Sequence, residues 1–405
     1  MSKKKIKSKN SVPLIKKVLL KGPILTNSGY GVHTRQLFES LKCIENIDLY
    51  IQPTQWGNTS WILSDDNSDA NVSEIVSYCK KVNDSRLFDV SYQVLLPNEW
   101  KKLANKNVGI TAGFEADIVK RSWLDNCNEM DLVIVPSIFS KSAFIKTSKM
   151  NDITLDTEIK VVNEWYYKDF DDHDYSFDYD LDFIEDIKSD KNILIIGQIT
   201  NSNETSDRKN MFKTIRCACE FIRERKDVGI VLKINTGRYT TSALNNLKNR
   251  LDNILDGINK DRVCFVFGLL NTRELKGLYE SKKISCLLSG TRGEGWGLPF
   301  IEAASCGLPI IATDYSAYKE FLDDDFLKID YEKEIISYNK EFIDIDANPY
   351  WANFKKESMN KGLTSLFNNI DYYEKAANER KNIIKQKYNS ANIIKYYKKI
   401  FESNF

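Results

Sequence analysis

Short, nearly continuous apolar runs recur along the whole chain, each followed by turn residues or by a stretch with helical spacing. Four lie in the first half: KVLLKGPI (17–24), DVSYQVLL (89–96), NVGITAG (107–113) and DLVIVPS (131–137). Five lie in the second: KNILIIGQI (191–199), GIVLKI (229–234), RVCFVFG (262–268), KISCLLS (283–289) and LPIIATD (308–314). Unbroken runs of this length predict strands covered on both faces, and their alternation with helices predicts α/β architecture with parallel sheets.

Between the halves runs YKDFDDHDYSFDYDLDFIEDIKSDKN, from Tyr167 to Asn192. Its density of aspartate predicts a solvated linker, the other reading being an acidic metal- or protein-binding segment. The domain boundary is expected near Lys188 to Asn192. The last forty or so residues, rich in Lys, Asn, Ile and Tyr, predict helices.

Composition narrows the picture. A chain of 405 residues exceeds what one hydrophobic core organises, so two domains are expected. The 58 basic residues balance 57 acidic ones, which excludes an overall nucleic-acid-binding field and leaves only a local basic groove open. The eight cysteines fall in scattered apolar runs without a CxxC pair, as buried reduced thiols of a cytoplasmic protein would. With His33 and His173 the only histidines, a histidine-rich metal site is excluded; a carboxylate-held cation is not. No run reaches the roughly 18 apolar residues of a membrane span. The N-terminal MSKKKIKSKN lacks the apolar core of a signal peptide. It reads as a solvated tail, or as an arm for membrane surface or nucleic acid.

The stretch with most chemistry is KISCLLSGTRGEGWGLPFIEAASCGLPIIATD (283–314). Pro299 suits a first helical turn and Gly307 the position past a helix end, so a helix is expected from Leu298 to Cys306. Its N-terminus offers unpaired N–H groups and a positive dipole end to a phosphate or hydroxyl, and Gly293, Gly295 and Gly297 let backbone approach closely. Glu294 precedes this helix and Glu302 lies about one turn inside it. The two border one ligand without straddling a bond as a glycosidase pair does. They suit vicinal sugar hydroxyls, the plainer reading being helix stabilisation.

The segment from Gly293 to Asp314 closely resembles the signature of the retaining nucleotide-sugar glycosyltransferases of family 4: E-x7-E, the GLP step and EAxxxGLPI. The resemblance implies that Glu294 binds the donor sugar beside its reacting carbon and that Glu302 holds the ribose. The backbone from Gly295 through Trp296, Gly297 and Leu298 would contact sugar and phosphate. DRKNM (207–211) resembles the family's basic diphosphate clamp, giving Arg208 and Lys209 to the leaving group; Gln198 stands where many members carry arginine. Phe267 and Gly268 match the strand and loop that bracket the base. In the first half, Gly29, Tyr30 and Gly31 match a glycine-rich loop near the donor phosphates, with His33 on the acceptor side. Glu115 falls where the family often has a histidine, and Ser137 follows a strand of the family's first domain.

The resemblance implies GT-B architecture, two Rossmann-like domains with parallel sheets facing across a cleft and C-terminal helices crossing back. The expected limits are a flexible basic tail (1–16), an acceptor domain (17–189), a donor domain (190–375) and a returning helix (376–405). It implies transfer of a sugar, with retention and without metal or cofactor, from a nucleoside diphosphate sugar, first of all a UDP- or GDP-sugar. The acceptor hydroxyl could belong to a glycan, lipid, protein or hydroxylated DNA base. An epimerase of the same architecture and a catalytically silent sugar-nucleotide-binding subunit are the alternatives.

Overall fold

The computed structural model describes residues 15–64, 71–79, 88–171, 184, 186–199, 204, 207–235, 241–336 and 348–405. The basic tail up to residue 14 and most of the acidic stretch after residue 171 lie outside the described residues.

The first domain alternates strand and helix: β1 (Lys16–Gly22), α1 (Gly29–Lys42), β2 (Ile47–Pro53), α2 (Val72–Tyr78), β3 (Phe88–Val94), β4 (Ala104–Ile110), α3 (Ser122–Asn128), β5 (Leu132–Val135), α4 (Ile138–Met150) and β6 (Ile159–Val161). Its strands form one parallel sheet in the order β2-β1-β3-β4-β5-β6. The second domain repeats the pattern: β7 (Lys191–Gln198), α5 (Met211–Glu224), β8 (Val228–Asn235), α6 (Thr241–Ile254), β9 (Val263–Phe267), α7 (Thr272–Glu280), β10 (Ile284–Ser289), α8 (Leu298–Cys306), β11 (Ile310–Thr313), α9 (Lys319–Leu322) and β12 (Leu327–Ile329). Its sheet, again parallel, runs β12-β11-β10-β7-β8-β9. An antiparallel hairpin, β13 (Tyr331–Ile335) with β14 (Tyr350–Phe354), precedes α10 (Lys356–Asn368), α11 (Ile370–Lys387) and α12 (Ser390–Asn404).

All nine apolar runs are strands. Three sheet strands are additional, β2, β6 and β12, and each is a sheet edge. An edge strand is covered less completely, so its sequence need not be continuously apolar; β2, IDLYIQP, keeps only two fully buried residues.

Strand order fixes where a ligand can bind. Parallel sheets open a crevice at the carboxyl ends of their strands where the winding direction reverses. In the second sheet that point lies between β7 and β10, in the first between β1 and β3. The loops leaving β7 and β10 carry Arg208, Lys209 and Glu294; the loop leaving β1 leads into Gly29 and Tyr30 at the start of α1.

The C-terminal helices tie the halves together. Helix α11 lies on the second domain, where Ile384 joins the core around α8 and Arg380 donates to the Leu308 carbonyl at 3.2 Å. Helix α12 crosses back and buries Ile393, Tyr397, Ile400 and Phe401 in the core of the first domain. Each such side chain contributes about 1.5–3 kcal/mol of hydrophobic stabilisation. None of the eight cysteines is in a disulfide, and six are buried.

Candidate active site

A cleft of about 410 Å3 is lined by both domains, with the two switch points on its walls. Helix α8 forms over the expected residues for the expected reasons. Gly297 precedes it at φ 103° and Gly307 ends it at φ 80°, both in the left-handed region, and Pro299 sits in its first turn.

Glu294 is at the centre. Its Oε1 accepts from Lys209 Nζ at 2.7 Å and from Thr291 Oγ1 at 2.8 Å, and its Oε2 accepts from Arg208 Nη1 at 2.9 Å. Burial alone would raise its pKa, but Lys209 and Arg208 overcome that and hold the carboxyl at about 2. Arg208 also donates to the Gly293 carbonyl at 2.6 Å and faces Glu115 across the cleft at 3.6 Å. Asp207 orders the start of α5, accepting from the backbone N–H of Lys209 and Met211. The sequence neighbours Arg208 and Lys209 thus reach one carboxylate more than eighty residues away.

Glu302, one turn into α8, is buried and accepts from Tyr279 Oη at 2.9 Å. Trp296 lines the cleft, while its ring packs on Phe321 and Tyr388 with centroids at 4.8 and 5.6 Å. Gly295, Gly297 and Leu298 also line it.

On the opposite wall, Tyr30 Oη pairs with Thr111 Oγ1 at 2.8 Å and accepts from the Ala112 N–H at 3.0 Å, and its ring stacks on Trp56 at 3.8 Å. Glu115 is raised above the ordinary carboxylate value by burial, against the pull of Arg208. His33 lines the cleft but is bound into the fold, its Nε2 3.1 Å from Tyr397 Oη on α12 and its Nδ1 3.7 Å from Glu164.

Three expected residues are not among the cleft lining. Gly31 is buried beneath it: a Cβ there would stand 2.2 Å from the Thr26 carbonyl, so glycine is needed for the tight entry into α1. Phe267 is more than half exposed and stacks on Phe265. Gly268, at φ 92°, turns the chain so that Leu269 and Leu270 face the cleft instead. Conversely, Lys233, Tyr279, Glu164 and Trp56 line the cleft without having been marked by any motif. A lysine within the apolar strand GIVLKI was the one visible signal among them. Gln198, in the position where arginine is common, also lines it.

The walls are locked at several points. Ser137 Oγ donates to the Gly295 carbonyl at 2.7 Å, and Glu320 of α9 accepts the N–H groups of Ile138 and Phe139 at 2.9 and 2.7 Å, capping α4 from the other domain. Among the described residues, no group of three or more His, Cys, Asp or Glu side chains could hold a metal ion. No helix among them is long and apolar enough to cross a membrane.

The His33–Glu164 pair gives a pH prediction. Burial lowers His33 to about 4 and raises Glu164 to about 8, so both are uncharged at neutral pH. Glu164 keeps its proton in the fold but loses it above about 4.5 when unfolded, so its contribution to stability is lost as pH rises through 8. His33 opposes this only between about 4 and 6.5. Between pH 6.5 and 8 the Glu164 contribution should fall by about 2 kcal/mol. Urea unfolding at the two pH values should show the loss in the wild type and a flatter profile in Glu164→Gln; equal slopes would refute it.

Residues 189–346 match the family model described as glycosyl transferases group 1, less than half of the chain. No curated relative matches the sequence. Solved structures match over nearly the whole length. HepE of Anabaena, in complex with UDP and glucose, superposes with a TM-score of 0.61 at 11% identity, over 96% of this chain and 100% of that one. The sucrose-phosphate synthase of Thermosynechococcus elongatus gives 0.62 at 12%, over 96% and 98%. Trehalose-6-phosphate synthase OtsA gives 0.61 at 11%, over 96% and 98%. At such identities the likeness is one of fold, and the fold is GT-B.

Proposed function

We propose that the protein transfers a sugar from a nucleoside diphosphate sugar to a hydroxyl acceptor, with retention of anomeric configuration and without a metal. The observation that carries this reading is Glu294 held between Arg208 and Lys209 at the carboxyl end of the donor-domain sheet, facing the other domain across the cleft. The group 1 domain over residues 189–346 and the GT-B fold support it.

Cleaving a glycosyl phosphate bond develops negative charge on the departing diphosphate. Fixed cations stabilise that charge most in the transition state, and Arg208 and Lys209 are already oriented by a carboxylate, so little reorganisation is required. When a diphosphate takes over the two cations, Glu294 is released to the sugar beside the reacting carbon. Glu302, oriented by Tyr279, takes the ribose hydroxyls. The sugar's bond to phosphate breaks and its bond to the acceptor oxygen forms on the same face, with the acceptor proton passing to the departing phosphate. This sequence uses no enzyme nucleophile. The acceptor would lie on the wall of Tyr30, Trp56 and Glu115. UDP-sugars are the first donors to test, since HepE is described with UDP and UDP-glucose. Eight cysteines outside any disulfide fit a reducing, cytoplasmic setting.

The test is incubation with UDP-, GDP-, ADP- and dTDP-sugars, following nucleotide release with and without hydroxyl acceptors, and the anomeric configuration of any product by NMR. Acceptor-dependent release with a retained anomer is expected. An inverted product would overturn the stereochemistry, and interconversion of the donor sugar without transfer would point to an epimerase.

A further inference from the structure

Lys233 is an anomaly in the second domain. It stands near the carboxyl end of β8, a strand buried along almost its entire length, and is only 4% exposed. A buried ammonium is costly unless its N–H groups are satisfied, and β-strand packing at this position needs no charge. Its Nζ donates to the Gly268 carbonyl at 2.6 Å and to Asn235 Oδ1. Among the described residues, these two acceptors serve an ammonium with three donors. Lys233 also lines the cleft, together with Asn235, Leu269 and Leu270; burial lowers its pKa to about 8 against the favourable charge of Glu302, so it is still an ammonium at neutral pH.

Three parts of the cleft therefore meet at one cation. Gly268 begins the turn that brings Leu269 and Leu270 to the cleft, and its φ of 92° places its carbonyl where Lys233 can hold it. Glu302 adds a negative charge from the helix opposite. A neutral side chain could fill the space. An ammonium adds N–H donors, and it can accept nothing.

On the reading of the cleft as a nucleotide-sugar site, we propose that Lys233 sets donor specificity. It pins the Gly268–Leu270 loop and presents an N–H donor to the nucleoside, favouring bases with a carbonyl oxygen over adenine. Uracil, thymine and guanine carry such an acceptor; adenine presents an amino donor in the corresponding place. Lys233 is a specificity residue remote from bond breaking, so its effect belongs in nucleotide selection rather than in the cation clamp.

The experiment is calorimetric titration of UDP, GDP, ADP and inorganic pyrophosphate into the wild type and Lys233→Met. The expected wild type binds UDP or GDP at least tenfold more tightly than ADP. Lys233→Met should bring that ratio to within about twofold while pyrophosphate affinity stays the same, which a merely structural loss would not do. Retention of the ratio in Lys233→Met, or a wild type that binds ADP as tightly as UDP and GDP, would overturn the proposal. Pyrophosphate binding with every nucleotide rejected would leave the cation clamp standing and overturn the role of Lys233. If neither nucleotides nor pyrophosphate bind, the donor-site reading fails and this inference with it. Should Lys233→Met not fold, Lys233→Arg, which keeps the charge but changes its reach, must alter the UDP:ADP ratio at least threefold; an unaltered ratio overturns the proposal equally.

Discussion

Glu294→Gln is expected to lower turnover by about 10²–10³-fold while leaving the affinity for free UDP equal or tighter. The two effects separate because Glu294 does two things. Before a donor binds, its carboxylate neutralises Arg208 and Lys209 at 2.9 and 2.7 Å. A diphosphate must compete with it for the same two cations. Glutamine removes the competing charge, keeps nearly the same shape, and can still accept from Thr291. Free nucleotide therefore gains, or at least does not lose. Turnover suffers, since an amide cannot hold a donor sugar carrying positive charge at its reacting carbon as a carboxylate does. Steady-state kinetics with UDP-glucose and titration with UDP measure the two quantities separately. Equal losses in both would mean that Glu294 only keeps the loop folded.

Gly293→Ala should cut activity by about 10²-fold although Gly293 is not among the residues that line the cleft. A Cβ at this position would stand 2.2 Å from the Glu115 carbonyl oxygen of the other domain. The obstacle is backbone, so it cannot rotate aside; either the loop carrying Glu294 or the one carrying Glu115 must shift. A displacement near 1 Å in a reacting group's support is enough for a loss of that size. Overpacking adds a destabilisation of about 1–3 kcal/mol. Gly362→Ala is the matched control: it lies inside α10, where a Cβ would make only an ordinary contact of 3.4 Å with Ile311. That variant should keep its activity and be as stable as the wild type or more so. Comparable losses in both variants, measured by turnover and thermal unfolding, would remove the argument from the domain contact.

How much of this was legible in the sequence depended on whether the cause was local. Helix α8 could be read from Pro299 and Gly307, since both act on the turn in which they sit. The interior strands, and β9 at one edge, could be read from their unbroken apolar runs. The edge strands β2, β6 and β12 could not, because half of an edge is answerable to solvent rather than to a core. The resemblance assigned Arg208 and Lys209 to the diphosphate and Glu294 to the sugar, but neither it nor the spacing contains their pairing with one another: that contact depends on β7 and β10 being neighbours. Tyr279 on Glu302 and Glu164 on His33 are likewise products of topology. Phe267 and Gly268 show a finer limit. The strand was placed correctly, but a left-handed turn at Gly268 passes the cleft surface to the next two residues, Leu269 and Leu270.

If the cleft is a nucleotide-sugar site, Arg208 and Lys209 grip the diphosphate of the donor. The most direct measurement is binding of UDP-glucose, GDP-glucose, ADP-glucose and dTDP-glucose to the wild type and to Arg208→Ala/Lys209→Ala, followed by calorimetry and by the shift in unfolding temperature. At least one donor is expected to bind and stabilise the wild type, and the double variant, still folded, to lose at least tenfold in affinity for it. No binding by any donor, or equal binding to both proteins, would contradict that reading of the cleft.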